Sequence, residues 1–304
     1  MLRRAAAAAA GHQQHPPGTL YVVATPIGNL ADITLRAIHV LGLVDAVACE
    51  DTRVSAQLLR HLGIDKPLVA LHAHNERAAA EGVLARLARG ESVACVSDAG
   101  TPAVSDPGAR LVQAAAAAGH RVVPVPGASS ALAALSVAGD AEAPGFAFAG
   151  FLPSKGAERQ AALHAVLAAP GSQVLFEAPH RIEALARTLA EASPARRVTL
   201  GRELTKQFET VATMEAAALP GWLAADANRC RGEFVLVLHA RAAEPAAGDL
   251  PAAALRTLEV LLRELPLKQA VALAAELSGA PRNRLYDEAL ARRAKAPSDD
   301  AGGA

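Results

Sequence analysis

The sequence predicts an α/β protein: two α/β/α domains followed by a small helical, helix-turn-helix-like region. Three observations predict it. Between Thr19 and His239, short β-prone runs alternate with segments whose apolar residues recur at helical spacing. Several of those runs end in loops rich in Gly, Pro, Ser and Asp, as strands do where open α/β sheets bind ligands. The 304 residues also suit two cores better than one, and a polar Gly/Pro-bearing link at Gly139–Gly145 divides them. The expected organisation is a disordered tail over 1–18, domains over 19–139 and 140–241, a linker over 242–250, helices over 251–296 and a tail over 297–304.

Composition narrows the class. Apolar residues are 52% but aromatics only 3%, so packing must rest on Leu, Val and closely approaching Ala faces. A formal net charge of zero neither demands nor excludes nucleic acid, because a local basic face matters more than the sum. Cys49, Cys95 and Cys230 are far apart in sequence and read as reduced, small packed side chains rather than a disulfide framework or a zinc site. Six alanines after Leu2-Arg3-Arg4 are too short and too weakly hydrophobic for a secretory segment, so a cytoplasmic enzyme is expected, with no membrane contact.

In the first half, the strand Thr19–Ala24 ends at Thr25-Pro26-Ile27-Gly28-Asn29, where Pro26 cannot extend a ladder and Gly28 permits a tight turn. Asn29 or Asp32 can cap the next helix, and Val44–Cys49 is a strand before the helix opened by Glu50-Asp51-Thr52. One glycine stands where a dinucleotide fingerprint needs three, and no P-loop lysine signature occurs, so hydride transfer and nucleotide hydrolysis lose ground. Leu68–Leu71 precedes His72-Ala73-His74-Asn75-Glu76, a polar loop without a defined third metal ligand; no metal is expected. The strand Val93–Val96 then runs into Ser97–Gly108, with its Asp98, Ala99, Gly100, Thr101 and Asp106. A strand–helix scaffold needs only a short turn there, so this loop reads as a small-molecule site. The strand Arg121–Val125 ends similarly at Pro126-Gly127-Ala128-Ser129-Ser130, where the serines either cap a helix or face a ligand.

Beyond the link, Phe146–Phe151 begins a strand followed by the basic loop around Lys155. Gln173–Phe176 ends at Glu177-Ala178-Pro179-His180-Arg181, and Val198–Leu200 at Arg202-Glu203-Leu204-Thr205-Lys206. Further strands are expected at 208–213 and 233–238. Lys155, Arg181, Arg202 and Lys206 thus gather at strand ends, as phosphate-holding cations would.

Together, Thr25–Thr34, Glu50–Arg53, Ser97–Gly108, Pro126–Ser130, Glu177–Arg181 and Arg202–Glu209 resemble the ribosomal RNA small subunit methyltransferase I family. The resemblance implies the tetrapyrrole-methylase-type fold, with S-adenosylmethionine in a cleft between two α/β domains. It also implies 2′-O-methylation of a cytidine of 16S ribosomal RNA, expected at position 1402, within the small subunit, by a homodimer. By position it assigns Pro26, Gly28, Asp98, Ala99, Gly100, Thr101, Gly127, Ser129 and Ser130 to the cofactor, and Arg181, Arg202 and Lys206 to RNA, to which the strand-end position of Lys155 adds a fourth RNA candidate. Asp106, Glu177, His180 and Lys206 are candidates for the proton-accepting group, and the choice among them stays open.

The tail adds its own signal. Helices near 252–264 and 266–277, a Gly-containing turn and a basic helix from Arg282 read as helix-turn-helix-like. Residues 251–298 carry eight basic and five acidic side chains, so Lys268, Arg282 and Arg284 are RNA candidates; helix packing is the alternative. Tetrapyrrole methylation on the same fold and a non-catalytic nucleotide-binding module are the competing functions.

Overall fold

A computed structural model describes residues 1–72, 75–241, 250 and 252–295. His74, most of the expected linker and the tail at 297–304 lie outside the described residues. The chain divides into two units, Met1–Arg241 and Ala242–Ala304.

The first unit opens with a helix rather than a disordered tail: α1 spans Leu2–Ala10. Alanine has the highest helix propensity, and its small side chain lets Ala6 sink to 0% exposure against a neighbouring helix. Then follow β1 (Thr19–Val23), α2 (Leu35–Leu43), β2 (Ala46–Cys49), α3 (Thr52–His61) and β3 (Leu68–Ala70). After them come α4 (Glu76–Ala88), β4 (Val93–Val96), α5 (Ala109–Ala117), β5 (Arg121–Val125) and α6 (Ser130–Ala138). The five strands form one sheet in the order β3-β2-β4-β1-β5, with every pair parallel. Helices cover both faces, as a parallel sheet of buried Val- and Ala-rich strands requires. Pro124 sits on the edge strand β5, where the missing N–H costs nothing. Asn29 caps a short turn, Leu30–Asp32, while Thr34 caps α2 itself.

The chain continues through β6 (Phe146–Phe151), α7 (Gly156–Ala168), β7 (Ser172–Glu177), α8 (Ile182–Ala192), β8 (Arg197–Arg202), β9 (Thr210–Glu215), α9 (Leu219–Ala224) and β10 (Phe234–Leu238). The second sheet has the order β6-β7-β10-β8-β9; β6 pairs parallel to β7 and the remaining pairs are antiparallel. β9 starts two residues later than expected because Gln207–Glu209 stay in a turn held by the Glu209 carboxylate on the Thr205 N–H, 2.5 Å.

The first domain was expected to end at 139, but α6 belongs to the second sheet. Its Ala131, Ala134 and Ala138 pack on Val174, Val235 and Val237, while α7, α8 and α9 cover the opposite face. Methyl side chains allow this close approach, a tertiary consequence that local polarity at 139–145 did not signal. The chain therefore crosses between the sheets at Pro126–Ser129, inside a strand-end loop.

The second unit holds α10 (Ala252–Glu264), α11 (Leu267–Ser278) and α12 (Arg282–Lys295). Leu258, Val271, Ala274, Leu285 and Ala289 form its core. Gly279 ends α11 at φ 68°, the left-handed cap that glycine adopts at least cost. Among the described residues no helix is long and apolar enough to cross a membrane.

Candidate functional site

β1 and β4 are parallel neighbours whose outgoing connections run in opposite directions across their sheet, so a crevice opens at their carboxyl ends. The loops leaving them are stitched together. Thr25 N–H donates to the Gly100 carbonyl at 2.8 Å and Gly100 N–H returns a bond to Thr25 at 3.1 Å. The Thr25 hydroxyl donates to the Ser97 carbonyl at 3.1 Å, and the Thr101 hydroxyl reaches the Ala128 carbonyl at 3.2 Å. Three strand-end loops, around Thr25, Thr101 and Ala128, thus form one rigid platform.

Two adjoining cavities open on it. The smaller, about 310 Å³, is lined by Ala99, Gly100, Thr101, Asp106, Ser129 and Ser130 from the platform. Phe151, Phe176, Glu177, Leu204 and Val235 close it from the second sheet's side. The larger, about 520 Å³, is lined by Pro26, Gly28, Ser97, Asp98 and Lys206 together with one face of α3. Ile27, Ala99 and Glu233 line both. The residues assigned by position to one cofactor pocket are therefore divided: Pro26, Gly28 and Asp98 open on the larger cavity only, and Gly127 lines neither. Gly127 instead packs tightly, its place for a Cβ lying 3.0 Å from Ala24 Cβ. Gly28 lets the Lys206 stem cross its backbone, and a side chain there would overlap that stem.

Three of the four cations expected in the first unit are engaged inside the fold. Glu177 has no exposed side-chain surface; its carboxylate lies 2.8 Å from Arg159 Nη2 and 2.6 Å from Arg181 Nε. The Arg181 contact is an ion pair without hydrogen-bond alignment at Nε, while its Nη2 donates to the Leu152 carbonyl at 2.9 Å. Glu177 and Arg181 are thus tied, with Arg159, into one buried ion-pair cluster. Arg202 donates to the Arg231 and Phe208 carbonyls at 2.7 and 3.1 Å and holds its own loop. Lys206 Nζ lies 2.8 Å from both Glu203 and Glu233. Burial pulls its ammonium down, but these carboxylates outweigh that and hold it above the usual lysine value, as a cation rather than a base. His180 and Lys155 are exposed and line neither cavity. In the second unit, Lys268, Arg282 and Arg284 are exposed on the surface of their helices.

Asp106 is different. It faces the smaller cavity, and burial raises its carboxyl above the usual carboxylate range; the Asp98 charge adds to this and a Ser97 hydrogen bond offsets it in part. Glu50 nearby is raised by burial and by the charges of Asp98, Asp106 and Asp51. Glu76, not Asp106, serves the start of α5: its Oε1 accepts from Gly108 N at 3.0 Å. Ser129 occupies the N-cap position of α6, yet its side chain makes no capping bond. Among the described residues no cluster of His, Cys, Asp or Glu could hold a metal ion.

Sequence reasoning missed the strained backbone. Ala103, Ser105, Glu203 and Thr205 are the non-glycine residues with positive φ among those described, between 51° and 67°. All four lie in the two loops that border the cavities, and strain held in place by surrounding structure concentrates at working sites. Ordinary side chains at such angles leave no sequence signal. Phe151, Phe176 and Glu233 were also missed, because each comes from an unremarkable strand end.

Residues 19–220 match the family model of the Tetrapyrrole (Corrin/Porphyrin) Methylases, and residues 248–293 that of the RsmI C-terminal HTH domain. The ribosomal RNA small subunit methyltransferase I of Pseudomonas aeruginosa is 50% identical over 279 residues, covering 91% of this chain and 99% of that protein. Its namesake in Escherichia coli O157:H7 is 49% identical, covering 90% and 95%. Uroporphyrin-III C-methyl transferase from Thermus thermophilus, complexed with S-adenyl homocysteine, shares the fold: TM-score 0.51 at 20% identity, covering 73% of this chain and 97% of that one. The chain belongs to the ribosomal RNA small subunit methyltransferase I family, on the tetrapyrrole methylase fold.

Proposed function

We propose that the protein transfers a methyl group from S-adenosylmethionine to the ribose 2′-hydroxyl of a cytidine in small-subunit ribosomal RNA, at position 1402 of 16S RNA. Half-identity to relatives named small subunit methyltransferases along nearly their whole length carries the reaction class. The lining of the smaller cavity fits the cofactor. Ile27, Phe151, Phe176, Leu204 and Val235 offer apolar walls to a purine, and the hydroxyls of Thr101, Ser129 and Ser130 offer partners to a ribose or an amino-acid end. The uncommitted Ser129 side chain is the single observation that favours a ligand over a purely structural loop.

When bound, S-adenosylmethionine supplies an electrophilic methyl group on a sulfonium. The chain's own work is then positioning and proton management. The stitched loops hold their donors without reorganisation, and the apolar walls exclude water. Asp106, whose carboxyl burial raises above the usual carboxylate range, takes the role of proton acceptor for the ribose hydroxyl. Exposed Lys155, Lys268, Arg282 and Arg284 supply phosphate contacts. A homodimer completes the proposal, with the apolar edge strand β6 as its face; Phe146 and Phe151 are 51% and 56% exposed there.

Titration calorimetry with S-adenosylmethionine tests the cofactor site. Saturable one-site binding that weakens in Ser129→Ala is expected; no binding by the purified protein overturns the proposal and favours a non-catalytic module.

A further inference from the structure

We infer that the larger cavity is a nucleotide subsite, and that α3 reads the base of an unstacked pyrimidine there. The inference rests on the methyl-donor reading of the smaller cavity. Val54, Gln57, Leu58 and His61 stand at i, i+3, i+4 and i+7 of α3, so they form one stripe, and all four line the cavity. The helix is anchored by a different face: Ser55 and Leu59 are 3% and 4% exposed in the core. A second stripe lines the cavity: Leu58 on it also packs partly against the core, while Val54, a branched apolar residue, stands 42% exposed.

Its chemistry suits a planar heterocycle. Val54 and Leu58 offer apolar contact to a ring face, and the Gln57 carboxamide offers one acceptor and two donors to a ring edge. Among the described residues, neither Gln57 nor His61 has a side-chain hydrogen bond or ion pair within the chain. At about 520 Å³ the cavity falls in the ordinary range for small-ligand sites. It joins the smaller cavity through Ile27, Ala99 and Glu233, so a nucleotide seated on α3 has its sugar end toward the methyl-donor side. Single-stranded RNA is recognised through unstacked bases, and a chamber beside the reacting centre accommodates one.

The test uses the full chain with short RNA hairpins carrying one unpaired cytidine, uridine or abasic residue, and isolated small subunits as substrate. Fluorescence anisotropy should show the cytidine hairpin bound more tightly than the abasic one. Gln57→Ala should erase the cytidine-over-uridine preference, and should lower kcat/KM on subunits about tenfold or more, as sites built to hydrogen-bond a substrate group do on losing it. Leu58→Ala should weaken both base-bearing hairpins and leave the abasic one unchanged. S-adenosylmethionine affinity should stay at the wild-type value in both variants and the melting temperature in Gln57→Ala, while Leu58→Ala, which also loses core packing, should melt lower. No cytidine-over-abasic preference in the wild type, or wild-type preference and rate in Gln57→Ala, overturns the subsite, as does loss of cofactor affinity in either variant. A wild type that binds cytidine through Gln57 but methylates no subunit keeps the subsite and sinks the proposed reaction.

Discussion

Glu177→Ala separates an anchoring carboxylate from a reacting one. In the wild type the Glu177 carboxylate is fully buried between Arg159 and Arg181, at 2.8 and 2.6 Å, and Oε1 also accepts the Ala178 N–H at 2.9 Å. Truncation leaves two guanidiniums, 18% and 19% exposed, facing each other without a counter-charge. Breaking a buried pair this way costs about 3–5 kcal/mol, and the residual exposure of both arginines places this case near about 3. For a unit of this size, about 2–4 °C of melting temperature is lost per kcal/mol, so the midpoint should fall by about 6–12 °C. Thermal unfolding followed by far-ultraviolet circular dichroism reads the shift directly. Glu177→Gln, which keeps the shape and one acceptor, should lose less. A Glu177→Ala midpoint within about 2 °C of wild type, together with abolished methyl transfer, would refute the anchoring role and return Glu177 to the proton-accepting candidates.

Three further outcomes follow from the structure. Ser129→Ala should leave the melting temperature unchanged, where loss of a working cap costs about 1 kcal/mol, while raising the S-adenosylmethionine Kd several-fold by calorimetry. Asp106→Asn should cut kcat about 100-fold or more and remove the acid limb of the pH–rate profile, a limb expected above the usual aspartate range because burial and then Asp98 raise this carboxyl. Its stability sign is opposite: a raised folded pKa disfavours the wild-type fold progressively as pH rises through it. The variant's stability advantage should therefore grow over that window and vanish below the unfolded aspartate pKa, as denaturant melts across pH will show. Native thiol labelling should modify Cys230 first, since burial pushes Cys95 up to about 12 and Cys49 is likewise buried and raised.

Elements governed by local pattern were legible in the sequence. The strands around Val22, Val47 and Cys95, the helices behind them and the ligand-binding look of Ser97–Gly108 all follow from periodicity and loop composition. What escaped depends on the third dimension. The alanines of α1 and α6 carry no hydrophobic signal strong enough to reveal which partner they bury against, so a tail was expected for one and the wrong sheet for the other. Arg181, Arg202 and Lys206 stand where phosphate-binding cations would, but their counter-charges and carbonyl acceptors come from sequence-distant positions such as Leu152, Arg231 and Glu233. The α3 stripe escaped for a related reason: Gln57 and His61 read as ordinary polar helix residues until the fold places them on a cavity.

The most direct test of the central claim incubates the full chain with methyl-labelled S-adenosylmethionine and isolated small ribosomal subunits, with naked 16S RNA in parallel, and maps the label by nuclease digestion and mass spectrometry. The account predicts one methyl group on the 2′-oxygen of a single cytidine, at position 1402. Label on a base, on a tetrapyrrole supplied in competition, or on no RNA at all would contradict it.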